Sequence, residues 1–359
     1  MKTSFFKHVS LLFFISIVTL SCTSDDREHV VELPEGDYNQ GLFILNEGGY
    51  GYSNASVSFI DTDEQIFNSI YSGVNDADLG DVAQSMGLYG DYAYIVVNNS
   101  ATIEIVNRYT FEYIATVTTD IVNPRYIAFD GAKGYITNWG DPNDTTDDYV
   151  AVLNLNTNLV EDKITVAEGP ENILVNNGKI YVSHIGGYGF GNTISVIDLV
   201  SETLTGTITV GDVPGDMLVD NGKLYVLCSG KPNYATEETS GQLVKINLTN
   251  DTVEASLSFP ETEHPRFLDI YNSTLYYTLD KAVYTLETNS FELPVTALFS
   301  LSDSGVQIPY GFKIHNDQIY VADAKDYVSN GEVFIYNMSG AKQKTFSVEI
   351  IPNSFYFNN

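Results

Sequence analysis

From about residue 40 onward the chain is written in short apolar runs, each only a few residues long, separated by Gly, Asn, Asp and Pro. Runs of that length, rich in β-branched and aromatic residues, predict strands. One unit recurs: a proline, an apolar run, an Asn-Gly or Asp-Gly turn, then a second apolar run entered through a tyrosine. The clearest copies are Pro170-Glu-Asn-Ile-Leu-Val-Asn-Asn-Gly-Lys-Ile-Tyr-Val182 and Pro214-Gly-Asp-Met-Leu-Val-Asp-Asn-Gly-Lys-Leu-Tyr-Val226. Weaker copies start at Pro124, Pro265 and Pro309, Ala83 heads one without proline, and Pro352 heads a half-copy. Asn-Gly between apolar runs predicts a tight hairpin, because both central residues of that turn need positive φ.

Two further strands follow each hairpin, as in Thr193–Asp198 with Leu204–Val210, and Leu243–Asn247 with Val253–Leu257. Four antiparallel strands repeating roughly every 45 residues predict a β-propeller blade. Six blades start near residues 84, 125, 171, 215, 266 and 310. A seventh is shared between the ends: Leu42–Asn46, Val57–Ile60 and Gln65–Ile70 lack a first strand, and Asn353–Phe357 is a first strand with nothing after it. The expected fold is therefore all-β, a seven-bladed propeller of four-stranded antiparallel blades, closed by pairing the C-terminal strand with the three N-terminal ones. Closure of that kind removes exposed sheet edges.

Antiparallel geometry sorts the loops between two faces. The first-to-second and third-to-fourth connections are short turns such as Asn176-Asn177-Gly178 and carry no evident chemistry. The other connections are long and aromatic, presenting Tyr50, Tyr52, Asn54, Trp139, Gly140, His184, Tyr188, Phe190, Tyr234 and Tyr327. Tyrosine and tryptophan offer broad apolar contact with a polar tip, which suits capture of a large, flattish ligand; packing between blades is the competing role for each. On the same face, the residues just after the repeat prolines should ring the mouth of the central channel: Gln84, Arg125, Glu171, Asp216, Arg266, Tyr310 and Asn353. Two arginines in an acidic chain are fitting partners for amide or phosphate groups of a ligand, and blade-to-blade hydrogen bonding is the alternative use of the ring.

The first 21 residues pair Lys2 and Lys7 with an apolar run ending at Leu20, the layout of a secretory signal peptide. Cys22 stands where cleavage belongs, which predicts lipidation there, and residues 22–40 read as a polar tether leading to a domain over residues 41–359. The formal net charge of −30 excludes nucleic acid as a natural partner. Beyond Cys22 the sole cysteine is Cys228, within a strand pattern and without a disulfide partner. No zinc, calcium, phosphate-loop or nucleophile-elbow spacing occurs, so neither a catalytic residue, a metal nor a resident cofactor is expected.

The run Leu42-Phe-Ile-Leu-Asn-Glu-Gly-Gly-Tyr-Gly, with Asn54–Asp61, the Gly-Lys-Ile-Tyr-Val repeats and Tyr135-Ile-Thr-Asn-Trp-Gly140, resembles the YncE-like propeller lipoproteins of Bacteroidota, among them the BtuG surface cobalamin-binding proteins. The resemblance spans residues 40 to 359. It implies capture of cobalamin or a related corrinoid by a lipoprotein on the surface of the outer membrane, and delivery to a TonB-dependent transporter. Asp25-Asp26, soon after Cys22, resembles a surface-export signal of such lipoproteins. Tyr50, Tyr52, Asn54, Trp139 and Gly140 are the ligand-contact positions whose surrounding motifs align. On the residues alone two other classes stay open: a propeller enzyme of lactonase or quinone-dependent dehydrogenase type, and a scaffold binding protein or glycan.

Overall fold

The computed structural model describes residues 36–359; the predicted leader, Cys22 and most of the predicted tether lie outside the described residues. Seven four-stranded antiparallel sheets form a ring. Blades 2 to 7 begin on the inner strands Ala83–Tyr89, Pro124–Asp130, Pro170–Asn176, Pro214–Asp220, Arg266–Tyr271 and Pro309–His315. In blade 1 the inner strand is the C-terminal Pro352–Asn358, paired antiparallel with Gly41–Asn46, Leu42 opposite Phe357 and Ile44 opposite Phe355. The head-to-tail closure expected from the sequence is thus the observed one.

The strand patterns follow from where each strand sits. Second strands such as Lys133–Asn138 and Lys179–His184 are buried on both sides after their first residue, because neighbouring blades pack against both faces. Outer strands such as Thr203–Thr209 and Thr252–Ser258 are largely exposed and correspondingly polar. The turns take the conformation their residues demand, with φ of 47° and 77° at Asn177 and Gly178, and 47° and 73° at Asn221 and Gly222.

The Gly-Lys-x-Tyr part of the repeat has a mechanical role. Lys133 Nζ donates to Glu202 at 2.7 Å and Tyr135 Oη to the same carboxylate at 3.2 Å, joining blade 3 to the outer hairpin of blade 4. Lys179 and Tyr181 grip Asp251 of blade 5 in the same way, at 2.5 and 2.8 Å. Each tyrosine ring fills the inter-blade core while its hydroxyl closes a polar latch at the hairpin face.

Two boundaries differ from the sequence expectation. Within the stretch Gln65–Ile70 only Ile66–Phe67 pairs as a strand, because Ser69 adopts φ 55° and turns the chain into a short helix, Ile70–Asn75. The packed chain also starts earlier than residue 41: Tyr38 donates its backbone N–H to Tyr109 at 2.9 Å, and its ring meets Phe59 and Phe111 edge-on.

Candidate functional site

Every inner strand carries a one-residue β-bulge at its start. In blade 4 Pro170 faces His184 while Ile173 faces Val182; in blade 7 Pro309 faces Asp323 while Gly311 faces Ala322. The same shift occurs in the other five blades. A bulge re-aims side chains out of the pleat. Here it aims them at the channel: Gln84, Arg125, Glu171, Asp216, Arg266, Tyr310 and Asn353, one from each blade, line a single cavity of about 570 Å³. All seven residues expected at the mouth are therefore brought together. The sequence did not single out Glu47, Tyr126, Phe267, Lys313 or Tyr356, which line the same cavity. The bulge exposes an extra position per strand, and its location is set by sheet register, which no local motif advertises.

The charges in the cavity are unevenly engaged. Arg125 makes a two-pronged pair with Glu171, both contacts 2.8 Å, and its guanidinium carbon lies 4.1 Å from the Trp139 ring centre. Asp216 accepts the Leu268 backbone N–H at 3.0 Å, and Lys313 contacts Asp269 at 3.1 Å. Tyr310 approaches Glu47 and meets Tyr327 edge-on at 5.5 Å. Burial pushes the Glu47 and Asp216 carboxyls above the usual carboxylate range, partly countered by the Tyr310 hydroxyl at Glu47 and by the Leu268 N–H at Asp216.

The loops above the cavity are braced, so their aromatic tips are held in place. Gly51 N–H donates to both Asp81 oxygens at 3.0 and 2.9 Å, and Gly49 N–H donates to Asn54 Oδ1 at 2.8 Å, presenting Tyr50 and Tyr52 at 76% and 79% exposure. The loop bearing Tyr234, itself 82% exposed, is tied by Thr239 Oγ1 to Asp212 at 2.9 Å and by His264, which bridges Ser229 O and Glu238. Tyr188 meets Trp139 at 5.9 Å, and Phe190 meets Tyr234 at 6.4 Å, so three exposed rings and the half-buried Trp139 form an arc over blades 3 to 5. Of the nine exposed aromatics among the described residues, six lie on this face: Tyr50, Tyr52, Tyr188, Phe190, Tyr234 and Tyr327. Phe67, Tyr92 and Tyr113 lie on other strands.

Four expected contacts have other duties. His184 is 1% exposed, with Nε2 held 2.8 Å from Ser195 Oγ, so it does not face the mouth; burial also lowers its pKa to about 4. Gly140 is buried at φ 60°, where a Cβ would sit 2.2 Å from the Asp147 carboxylate; it is a backbone requirement. Trp139 is half-buried, donating Nε1–H to Pro170 O at 3.0 Å beneath Arg125, and so props the mouth. Asn54 shapes its own loop, as described above. Cys228 is buried in the core and its thiol is pushed up to about 12 by burial. Among the described residues, no three His, Cys, Asp or Glu side chains converge as a metal-ligand set.

A family model described as a domain of unknown function, DUF5074, matches residues 40–358. No curated protein matches the chain by sequence. Solved structures do match in shape. A quinonprotein alcohol dehydrogenase-like protein from Bacteroides thetaiotaomicron is 16% identical, with 90% of this chain and 79% of that chain covered and a TM-score of 0.65. A hypothetical selenium-binding protein from Sulfolobus tokodaii is 10% identical, with 89% and 93% covered and a TM-score of 0.68. Hydrazine synthase from Kuenenia stuttgartiensis is 16% identical, with 75% and 90% covered and a TM-score of 0.59. At such identities the likeness concerns the fold alone, and neighbours described so differently illustrate that a propeller does not dictate an activity.

Proposed function

The chain belongs to the DUF5074 family, and on that footing we propose that it is a non-catalytic capture protein that takes a broad ligand of mixed polarity, a corrinoid, at the channel mouth. One observation carries this reading: seven bulge side chains, one per blade, converge on a cavity at the same face that displays six exposed aromatics on braced loops. The cavity volume falls within the range of small-molecule sites. Braced aromatics lose little freedom on binding and cover flat apolar surface, while the Arg, Glu, Asp, Asn and Gln groups below suit peripheral amides.

The proposal extends to placement and delivery. The chain runs into the propeller at Gly41, which pairs with Asp61 and Asn358 on the hairpin face. In this reading a lipid anchor at Cys22 holds the protein at the outer membrane surface, and the mouth gathers ligand and passes it to a TonB-dependent transporter. Calorimetric titration of the purified domain with cyanocobalamin and with cobinamide tests the capture step. Saturable binding of one ligand per chain is expected; absence of heat with both would overturn the corrinoid reading.

A further inference from the structure

Of the three cations lining the mouth, two are held by a carboxylate and Arg266 is the exception, with Glu47 and Asp216 attracting it only at longer range. Arg125 is held by Glu171 and Lys313 by Asp269. Arg266 is exposed, lines the cavity, and makes no side-chain hydrogen bond or ion pair with any described residue; its guanidinium carbon lies 5.0 Å from the Phe267 ring centre and 5.9 Å from that of Tyr310. A guanidinium in that state offers its whole planar fork of donors to a ligand.

Beside it, a second cleft of about 200 Å³ shares Tyr126, Glu171, Asp216, Arg266 and Phe267 with the mouth and continues against Ile185, Val213, Leu227 and Pro265. That continuation is mostly apolar, with Asn172 and Ser229 as its polar side chains. Between the two cavities stands Phe267, at φ 55° inside the blade 6 bulge, a conformation that bulky residues rarely adopt. In five other blades the left-handed residue precedes the inner strand, at Val82, Asn123, Gly169, Val213 and Ile351. In blade 6 it is instead the second residue of the strand, two positions further along and next to Arg266, and strain of this kind gathers at ligand clamps.

We infer that Arg266 and Phe267 form a subsite for an amphipathic anion, in which the guanidinium takes a phosphate or carboxylate and an attached flat apolar body lies in the cleft against Phe267. The inference rests on the proposed capture role only in placing the ligand at the mouth. Both parts of the ligand are needed. Glu47 and Asp216 line the same cavity, and their charge disfavours a bare anion, so the apolar body supplies the retention and Arg266 the orientation.

Titration with phenyl phosphate, inorganic phosphate and phenol, followed by calorimetry or chemical-shift change, separates the terms. Phenyl phosphate should bind at least about tenfold more tightly than either fragment. Arg266→Gln should weaken phenyl phosphate about tenfold or more with an unchanged melting temperature, and Arg266→Lys should fall between, keeping charge without the fork. Phenyl phosphate that fails to bind the native protein, or binds Arg266→Gln equally well, overturns the subsite. The two proposals fail separately: corrinoid binding together with phenyl phosphate binding that ignores Arg266→Gln sinks the subsite alone, whereas phenyl phosphate binding through Arg266 without any corrinoid binding sinks the corrinoid reading alone.

Discussion

Two arginines occupy equivalent places in the repeat, each at the head of an inner strand and each at the channel mouth, yet they are used in opposite ways. Arg125 is locked between Glu171 and the Trp139 ring, which is itself tied to Pro170. Arg266 faces the Phe267 and Tyr310 rings and makes no side-chain hydrogen bond or ion pair with any described residue, beside a strained Phe267 and a mostly apolar cleft. The repeat therefore fixes position, and the neighbouring blade decides whether a side chain becomes part of the frame or of the site. A Glu at the head of blade 4 neutralises the arginine of blade 3, whereas blade 7 offers Tyr310 to the arginine of blade 6.

The largest effect should come from breaking the ring that holds both sides around one cavity. Deleting the last eight residues removes the inner strand of blade 1 and exposes the edge of Gly41–Asn46. Loss of the cooperative melting transition, or aggregation on size-exclusion chromatography, is expected, and a truncated chain that melts like the native one would refute closure as the source of stability.

Next in size is the arginine pair itself. Arg125→Ala strands the mostly buried Glu171 and should destabilise the protein by about 3 kcal/mol in urea unfolding. Arg266→Ala should stay within about 0.5 kcal/mol of the native protein. Equal losses in the two variants would erase the distinction between frame and site.

Behind the Tyr188 loop, His184 gives the frame a pH signature. Burial lowers its pKa to about 4, below the ordinary 6.5 of an exposed histidine, so the unfolded chain gains its proton first. The His184 contribution is intact above pH 6.5 and declines as pH falls toward 4, by about 3 kcal/mol. Asp148, raised to about 6 by burial, works the other way, favouring the folded state as pH falls below 6. Comparing unfolding curves of the native protein and His184→Gln from pH 7 to 4 isolates the histidine, and parallel curves would contradict its assignment. The smallest change in stability belongs to the rim: Tyr188→Ala and Tyr234→Ala should melt like the native protein while weakening corrinoid binding about tenfold each.

Blade number, hairpins, closure and the ring of mouth residues were all legible in the sequence, because each follows from a local rule repeated many times. Pro170 and Pro214 head near-identical runs, and the antiparallel alternation then assigns every loop to a face. What could not be read was which mouth residues are occupied by others. Whether Arg125 meets Glu171 depends on two blades 46 positions apart in sequence, and whether His184 faces water or Ser195 depends on the packing of a loop over it. Glu47 and Phe267 escaped notice for a related reason, since they reach the cavity through loop path and bulge geometry and not through a motif.

The central claim is that one face of the disc does the capturing, and tyrosine footprinting with hydroxyl radicals, with and without bound corrinoid, tests it most directly. Protection of Tyr50, Tyr52, Tyr188, Tyr234 and Tyr327, with Tyr92 and Tyr113 as reactive as before, is the predicted pattern. Protection centred on Tyr92 or Tyr113, or spread evenly over both groups, would contradict it.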